Sequence, residues 1–136
     1  DYQLVDNKEN MAVLAEKLLA QKFFSLDTET TGIDPITAEL VGMSFSFAEN
    51  QAFYVPVPAN REEALTIVNI FKPAFENPDS LKIGQNIKYD LIMLANYGVS
   101  LKGKMFDTMI AHYVLQPELR HGMDYLAVIY LKYETI

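Results

Sequence analysis

The chain has 136 residues, half of them hydrophobic, and a formal charge of −7 at pH 7. This length and composition suit one compact domain with a real core and exclude a disordered tail. The negative charge argues against a broad basic surface for nucleic acid, whereas clustered carboxylates are what hard divalent cations require. The absence of cysteine excludes disulfides and thiolate metal sites.

The sequence shows neither a membrane-spanning stretch nor a signal peptide. No apolar run reaches the roughly 18–20 residues that span a bilayer, so we expect no membrane partner. The first residues lack the basic start and apolar stretch of a signal peptide. The chain begins with Asp1 rather than Met, which indicates a piece of a longer protein.

The first half of the chain predicts a helix followed by an antiparallel meander. Asp6 and Glu9 resemble a capping box, and apolar residues at helical spacing then predict a helix over residues 7–21. Residues 2–5 fit a short edge strand. Alternating or continuous apolar stretches, separated by turn residues, predict three further strands. These strands cover residues 23–29, 40–47 and 52–57.

The second half alternates helices with strands. Two strands are predicted, over residues 81–84 and 104–107. Four helices are predicted, over residues 61–76, 86–97, 108–115 and 123–131. The whole order predicts an α/β fold, a mixed sheet of about five strands whose first three are antiparallel, with flanking helices. This order resembles the ribonuclease H-like fold.

Two carboxylates leave the same face of the strand over residues 23–29. Asp27 and Glu29 are two positions apart, so their side chains lie together while Leu26 faces the other way. Two adjacent like charges repel each other, and a bound cation removes that cost. An acidic strand end that simply meets solvent is the alternative.

A second polar cluster follows the strand over residues 81–84. Gly84 permits close approach of backbone or ligand, and Asn86 is a favourable helix N-cap. Asp90 then lies one turn into the helix, near its positive end. Gln85, Asn86 and Tyr89 offer hydrogen bonds and a stacking ring. An ordinary capped helix with an acidic first turn is the alternative.

Taken together, these strings closely resemble the proofreading 3′–5′ exonuclease domain of bacterial DNA polymerase I, a member of the DEDD exonuclease superfamily. The likeness covers nearly the whole chain. The string from Gly84 to Asp90 is specific, because related exonucleases share the isolated acidic residues but seldom all of it. The other matching strings are Asp27-Thr28-Glu29-Thr30, Leu40-Val41-Gly42-Met43-Ser44-Phe45, Leu94-Ala95-Asn96-Tyr97-Gly98 and Phe106-Asp107-Thr108-Met109.

The resemblance implies a function and a set of site residues. Asp27, Glu29 and Asp90 would be catalytic and would hold two divalent cations, Mg²⁺ or Mn²⁺, with Zn²⁺ as a further option. The reaction would be hydrolysis of the 3′-terminal phosphodiester of single-stranded DNA. The resemblance also implies a polymerase domain in the same parent chain and a cytoplasmic, nucleoid-associated location in a bacterium. The implied substrate-binding residues are Thr28, Thr30, Ile33, Gln85, Asn86 and Tyr89.

The family's third motif, Tyr-x-x-x-Asp, is not found in its expected place. That motif supplies a fourth carboxylate and a tyrosine that orients water. Residues 2–6 match its spacing, and residues 130–134 match it with Glu in place of Asp, but neither stretch aligns with the family site. We therefore expect residues 1–136 to be a single exonuclease-like domain that is incomplete at its C-terminus, and the fragment alone to be weak or inactive.

Three other functions compete with this hypothesis. The fold could be an inert module that supports a polymerase domain, although the retained carboxylates argue against it. A free-standing RNase of the same superfamily is disfavoured by the polymerase-like strings. A haloacid-dehalogenase-type phosphatase would need Asp-x-Asp where the chain has Asp27-Thr28-Glu29.

Four further polar residues are interpreted as structural. Asp107 follows a strand and is interpreted as a helix N-cap rather than as a second-shell ligand. His112 and His121 are interpreted as packing or surface residues rather than as ligands, and Arg120 as a solvated cation rather than as a phosphate contact.

Overall fold

The computed structural model describes residues 1–135, and the expected domain boundary at Ile136 lies outside them. It has the predicted α/β architecture, with a six-stranded mixed sheet, five α-helices and one π-helical turn. In chain order the elements are β1 (Tyr2–Leu4), α1 (Lys8–Leu19), β2 (Phe23–Thr30), β3 (Leu40–Ala48), β4 (Gln51–Pro56), α2 (Arg61–Phe75), β5 (Leu81–Gly84), α3 (Ile87–Ala95), β6 (Met105–Asp107), α4 (Thr108–Leu115), α5 (Met123–Leu126) and the π-helical turn (Ala127–Leu131).

The sheet has the strand order β1-β4-β3-β2-β5-β6. The pairs β2–β3 and β3–β4 are antiparallel, which confirms the predicted meander. The strands β5 and β6 continue the sheet beside β2 in parallel orientation. The edge strand over residues 2–5 is present as β1, which pairs in parallel with β4 and makes six strands rather than five.

One face of the sheet forms the main hydrophobic core. Leu26, Phe45 and Phe53 lie in one cross-strand row on this face, and the ring of Phe45 stacks on Phe71 of α2 at 5.2 Å between centroids. The helix α1 packs against α2. Buried residues from the helices complete the core, among them Leu14, Leu18, Val68, Phe75, Met93 and Leu94. The alternation of the strands therefore leaves Asp27 and Glu29 on the opposite face.

Local capping differs from the sequence prediction at two helices. The capping box that begins at Asp6 is wrong, because the side chain of Asn7 accepts from the Asn10 amide and caps α1. The helix α3 begins at Ile87 and ends at Ala95, one and two residues inside the predicted bounds.

The C-terminal helix also departs from the prediction. The stretch predicted as one helix over residues 123–131 divides into α5 and the π-helical turn. The turn ends at Lys132, whose backbone adopts the left-handed conformation with φ 55°. An extra residue per turn of this kind is a local change in hydrogen bonding that apolar spacing does not reveal.

The loop before β5 turns its backbone carbonyls inward. The buried ammonium group of Lys82 donates to the carbonyl of Ser80 at 3.1 Å and to that of Asn77. Burial lowers the pKa of Lys82. The carbonyls of this loop also face Gly103, where an added Cβ would lie 2.5 Å from the Ser80 oxygen. The loop therefore fits closely around Lys82 and Gly103. No helix within residues 1–135 is both long and apolar enough to cross a membrane.

Candidate active site

The strand β2 presents two carboxylates on the face opposite the main core. Asp27 is paired with Ser44, and Glu29 with Gly42, on the neighbouring strand β3. Asp27 is partly buried and Glu29 is exposed. The predicted common face of these two side chains therefore follows from the observed register.

Asp90 reaches the same strand from its edge. The strand β5 pairs with β2 only as far as Ser25, so the later part of β2 lacks a neighbour on that side. The Thr28 amide on this stretch donates to Oδ1 of Asp90 at 2.8 Å, and the Thr28 hydroxyl donates to the same oxygen at 2.7 Å. Asp90 is only 2% exposed. The helix α3 thus places a buried carboxylate where a strand would otherwise continue the sheet.

Thr28 has a different position from that expected of a direct substrate contact. Its side chain is buried and its hydroxyl is occupied by Asp90. A buried carboxylate needs such donors, since an unpaired buried charge is strongly destabilising. The structure therefore shows Thr28 beneath Asp90, as a support for that carboxylate.

The charges of Asp90 and Glu29 both act on Asp27. Burial, then the charge of Asp90 and then that of Glu29, raise the pKa of Asp27 to about 6. Burial also raises the pKa of Asp90, against the opposing effect of the two Thr28 hydrogen bonds. Mutual repulsion of this kind favours a proton or a cation at the site.

The donor set suits a hard divalent cation. Carboxylate oxygens are the ligands that Mg²⁺ and Mn²⁺ prefer. Within residues 1–135, no group of three or more His, Asp and Glu side chains is close enough together to hold a metal ion. Asp90 and Glu29 both act electrostatically on Asp27, and Glu29 is the exposed carboxylate of the three.

The loop after β5 is held by residues of α4 and beyond. Gln85 donates through Nε2 to the His121 carbonyl at 2.6 Å, and its Oε1 lies 2.5 Å from the Thr108 hydroxyl. Asn86 is the N-cap residue by position but has a left-handed backbone, with φ 58°, and makes no side-chain cap. The predicted capping by Asn86 is therefore wrong. Its side chain instead accepts from Lys88.

Tyr89 connects α3 with the loop that follows β2. Its hydroxyl lies 2.6 Å from the Thr30 hydroxyl and also donates to the Gly32 carbonyl. Ile33, in the loop between β2 and β3, is 98% exposed. The predicted substrate-binding residues thus fall into two groups, Thr30, Ile33 and Tyr89 on one side and Gln85 and Asn86 on the other.

Two features of this face were missed by the sequence analysis. A cleft of about 590 Å³ opens beside Asp27, between the sheet and the helices α4 and α5, and its lining is mostly apolar. His112 borders the cleft and is 5% exposed. Its Nδ1 lies 2.7 Å from Nδ1 of His121. The packing role expected for His112 agrees with this burial, whereas no local sequence signal joins it to His121.

Solved structures with the same architecture are nucleases. NrnC from Brucella melitensis, determined with bound Mg²⁺, superposes with a TM-score of 0.75 at 20% identity, covering 99% of this chain and 63% of that one. RNase D from Escherichia coli superposes with a TM-score of 0.77 at 17% identity, covering 100% of this chain and 35% of that one. At these identities the likeness shows the ribonuclease H-like fold alone.

Relatives found by sequence identify the family, which the solved structures do not. DNA polymerase I of Pseudomonas aeruginosa is 38% identical over 146 residues, covering 100% of this chain and 16% of that protein. DNA polymerase I of Borreliella burgdorferi is 36% identical over 138 residues, covering 99% of this chain and 15% of that protein. The chain therefore spans about one-sixth of the length of these curated relatives. The family model described as 3′–5′ exonuclease matches residues 2–136. The chain belongs to the 3′–5′ exonuclease domain family of DNA polymerase I.

Proposed function

We propose that this domain removes nucleotides from the 3′ end of single-stranded DNA in a divalent-metal-dependent, proofreading reaction. The observation that carries the proposal is the position of Asp90, held against Thr28 at the edge of β2 beside Asp27. In the reaction water adds to the terminal phosphorus, and the bond between that phosphorus and the 3′ oxygen of the preceding nucleotide breaks. A nucleoside 5′-monophosphate leaves, and a new 3′ hydroxyl remains.

Asp27, Glu29 and Asp90 are the proposed catalytic and metal-binding residues. They would hold two divalent cations, Mg²⁺ or Mn²⁺, with Zn²⁺ as a further option. Such cations, when bound, acidify water and offset the charge that develops on the phosphate. The raised pKa of Asp27 supports this assignment, because perturbed carboxyl groups concentrate at functional sites.

The remaining site residues divide between support and substrate contact. Thr28 orients Asp90 by its two hydrogen bonds. Thr30, Ile33 and Tyr89 would contact the terminal bases from the loop after β2. Gln85 and Asn86 would contact the strand from the loop after β5. Base stacking on side chains such as these tolerates any sequence, as a proofreading site requires.

The setting of the domain is part of the proposal. We propose that residues 1–136 form one exonuclease-like domain within a bacterial DNA polymerase I, because the relatives are about six times longer. A polymerase domain of the same chain and a cytoplasmic, nucleoid-associated location would follow. The family's Tyr-x-x-x-Asp motif would complete the carboxylate set, so residues 1–136 alone should hydrolyse DNA poorly.

The test compares 3′-end hydrolysis by the full-length protein with that by residues 1–136. A single-stranded oligonucleotide labelled at its 5′ end should shorten one nucleotide at a time with Mg²⁺ or Mn²⁺, and not with EDTA. Asp27→Ala in the full-length protein should lower the rate on the order of 10³-fold or more. Asp6→Ala, which removes an exposed carboxylate elsewhere, should leave it unchanged. Equal rates for the two variants would show that the site is elsewhere.

A second candidate is an inert module that supports a polymerase domain. The observation that favours it is that residues 1–135 contain no preassembled group of three metal-binding side chains. On this alternative, the full-length protein would polymerise DNA normally but show no metal-dependent 3′ hydrolysis, and Asp27→Ala would alter neither activity.

A further inference from the structure

Asp107 lies where two parallel strands end side by side. It is paired with Gly84 of β5; β6 leads directly into α4, and β5 leads into α3 after two residues. Oδ1 of Asp107 accepts from the amides of Met109 and Ile110 in α4, at 2.9 and 3.3 Å. These bonds are those of the N-cap that the sequence predicts for α4.

The same carboxylate also caps α3. Oδ1 accepts from the Asn86 amide and Oδ2 from the Ile87 amide, each at 3.0 Å. Asn86 has a left-handed backbone and makes no side-chain cap of its own, so Asp107 supplies acceptors that α3 otherwise lacks locally. The positive ends of two helices meet one negative charge, which is favourable for both helices.

Thr108 makes further contacts between the start of α4 and the end of β5. The Thr108 hydroxyl donates to the Gly84 carbonyl at 3.2 Å and lies 2.5 Å from Oε1 of Gln85. The segment from Gly84 to Ile87 is thus held to the beginning of α4 by two consecutive side chains, Asp107 and Thr108. This segment is the one that leads into the helix bearing Asp90.

The cap determines where Asp90 lies. Asp90 is three residues after Ile87 in the first turn of α3, so a shift of the helix start moves its carboxylate as well. Its contact with Thr28 depends on two bonds of 2.8 and 2.7 Å. A displacement of about 1 Å is enough to break such bonds and to impair a site of this kind.

We propose that Asp107 is a positioning residue for the site, because its carboxylate fixes the start of α3 and thereby holds Asp90 against Thr28 and beside Asp27. This inference rests on the proposed function where it concerns cation binding. Asp107 itself contacts neither Asp27 nor Glu29 by any hydrogen bond found within residues 1–135.

The test uses Asp107→Ser, which separates the two caps. Serine is a good N-cap for its own helix, so α4 keeps its cap, but its short hydroxyl does not reach the amides of α3. Asn60→Ala is the matched control, because Asn60 caps a different helix, α2, with two amide bonds. Amide hydrogen exchange is measured by NMR, and Mn²⁺ affinity by titration calorimetry, on residues 1–136.

Asp107→Ser should speed exchange at Thr28 and Ile87 by about tenfold or more beyond any change caused by Asn60→Ala, while Met109 remains protected. Mn²⁺ binding should weaken by about 10–100-fold, as is typical when a residue that orients a metal ligand is lost. Asp107→Asn, which keeps one acceptor oxygen, should give an intermediate result.

The proposal is overturned if Asp107→Ser changes exchange at Thr28 and Mn²⁺ affinity no more than Asn60→Ala does. A wild-type chain that binds no Mn²⁺ would not contradict the proposed function, because the proposed carboxylate set is completed outside residues 1–136; hydrolysis by the full-length protein tests that function separately. The exchange rate of the Thr28 amide would then still decide the role of Asp107, since it reports the bond to Asp90 directly.

Discussion

At the scale of single residues, Asp27 combines partial burial with two nearby negative charges. Its pKa of about 6 lies above the ordinary value of 3.8. The folded protein therefore disfavours the charged form of Asp27. The free energy of unfolding consequently decreases as the pH rises from about 4 to above 6. Active-site carboxylates commonly carry such a cost.

Asp27→Asn should therefore stabilise the metal-free protein at pH 8 and leave its stability at pH 4 nearly unchanged. The expected gain at pH 8 is about 1–2 kcal/mol, after allowance for screening by the solvent that reaches Asp27. Urea denaturation in EDTA at both pH values measures it. Asp6→Asn is the control and should show no gain at either pH, and an equal gain for Asp27→Asn at both values would contradict the repulsion argument.

The residue-scale predictions from sequence succeeded where the cause was local. The alternation of a strand places Asp27 and Glu29 on one face, and the register confirms that geometry. Their role as metal ligands remains a prediction. The support that Thr28 gives to Asp90 was not predicted, because it joins residues 62 positions apart and depends on where β5 ends.

At the scale of elements, α3 lies beside the part of β2 that β5 does not pair with. Asp90 of α3 accepts hydrogen bonds from Thr28 there, where a neighbouring strand would otherwise pair. The helix bounds were predicted to within two residues there, since they follow from local spacing. The cap of α3 was not predicted correctly. Asn86 is a favourable N-cap by residue type, but its backbone is left-handed and its side chain makes no cap, so Asp107 accepts from the Ile87 amide instead. A partner 21 positions away lies beyond the reach of local propensity.

Thr28→Val should weaken this junction. The substitution keeps the shape of the side chain but removes the hydroxyl from a buried carboxylate, so we expect a loss of about 1.5–3 kcal/mol. The loss should be larger at pH 8 than at pH 5, because the charged form of Asp90 depends most on the hydroxyl. Thr66→Val, at an exposed position of α2, is the control for urea denaturation. Equal losses for the two variants would show that the Asp90 contact contributes nothing.

The loop before β5 makes Gly103 a second sensitive point. Gly103 has φ +87° and backbone carbonyls within 3.1 Å of an added Cβ, whereas Gly98 has φ +78° and open space around it. Gly98→Ala should therefore cost about 1 kcal/mol from backbone strain alone. Gly103→Ala should cost at least about 1 kcal/mol more, because the loop that binds Lys82 has to move. The difference between the two thermal unfolding midpoints measures this, and the same midpoint for both would contradict it.

At the scale of the whole molecule, the two faces of the sheet have different tasks. The α1, α2 and α3 side contributes the main core, while the other side combines Asp27 and Glu29 with an apolar cleft beside Asp27. The antiparallel meander and the alternating second half were predicted because each connection is short or follows a regular pattern. The parallel pairing of β1 with β4 was not, since nothing local specifies a partner across the intervening helix and two strands.

Mg²⁺ should stabilise the whole domain through its carboxylates. A cation that binds only the folded state at ten times its dissociation constant adds about 1.4 kcal/mol, which corresponds to a rise of roughly 4–7 °C in Tm. NaCl at matched ionic strength should not reproduce the rise in Tm, because it screens the net charge of −7 without binding to the carboxylates. Asp27→Ala should abolish it. A rise that survives Asp27→Ala would place the bound cation elsewhere.

The pairing of β1 with β4 has a consequence for folding during synthesis on the ribosome. Tyr2 pairs with Ala52, so 50 further residues have to be synthesised before the partner of β1 begins to form. At about 5–20 residues per second, the nascent strand stays unpaired for roughly 3–10 seconds. Tyr2 and Leu4 remain largely exposed even in the finished fold, and in that interval the strand's backbone is unpaired too. The first residues are therefore the part of this domain most open to a chaperone or to a neighbouring nascent chain during synthesis.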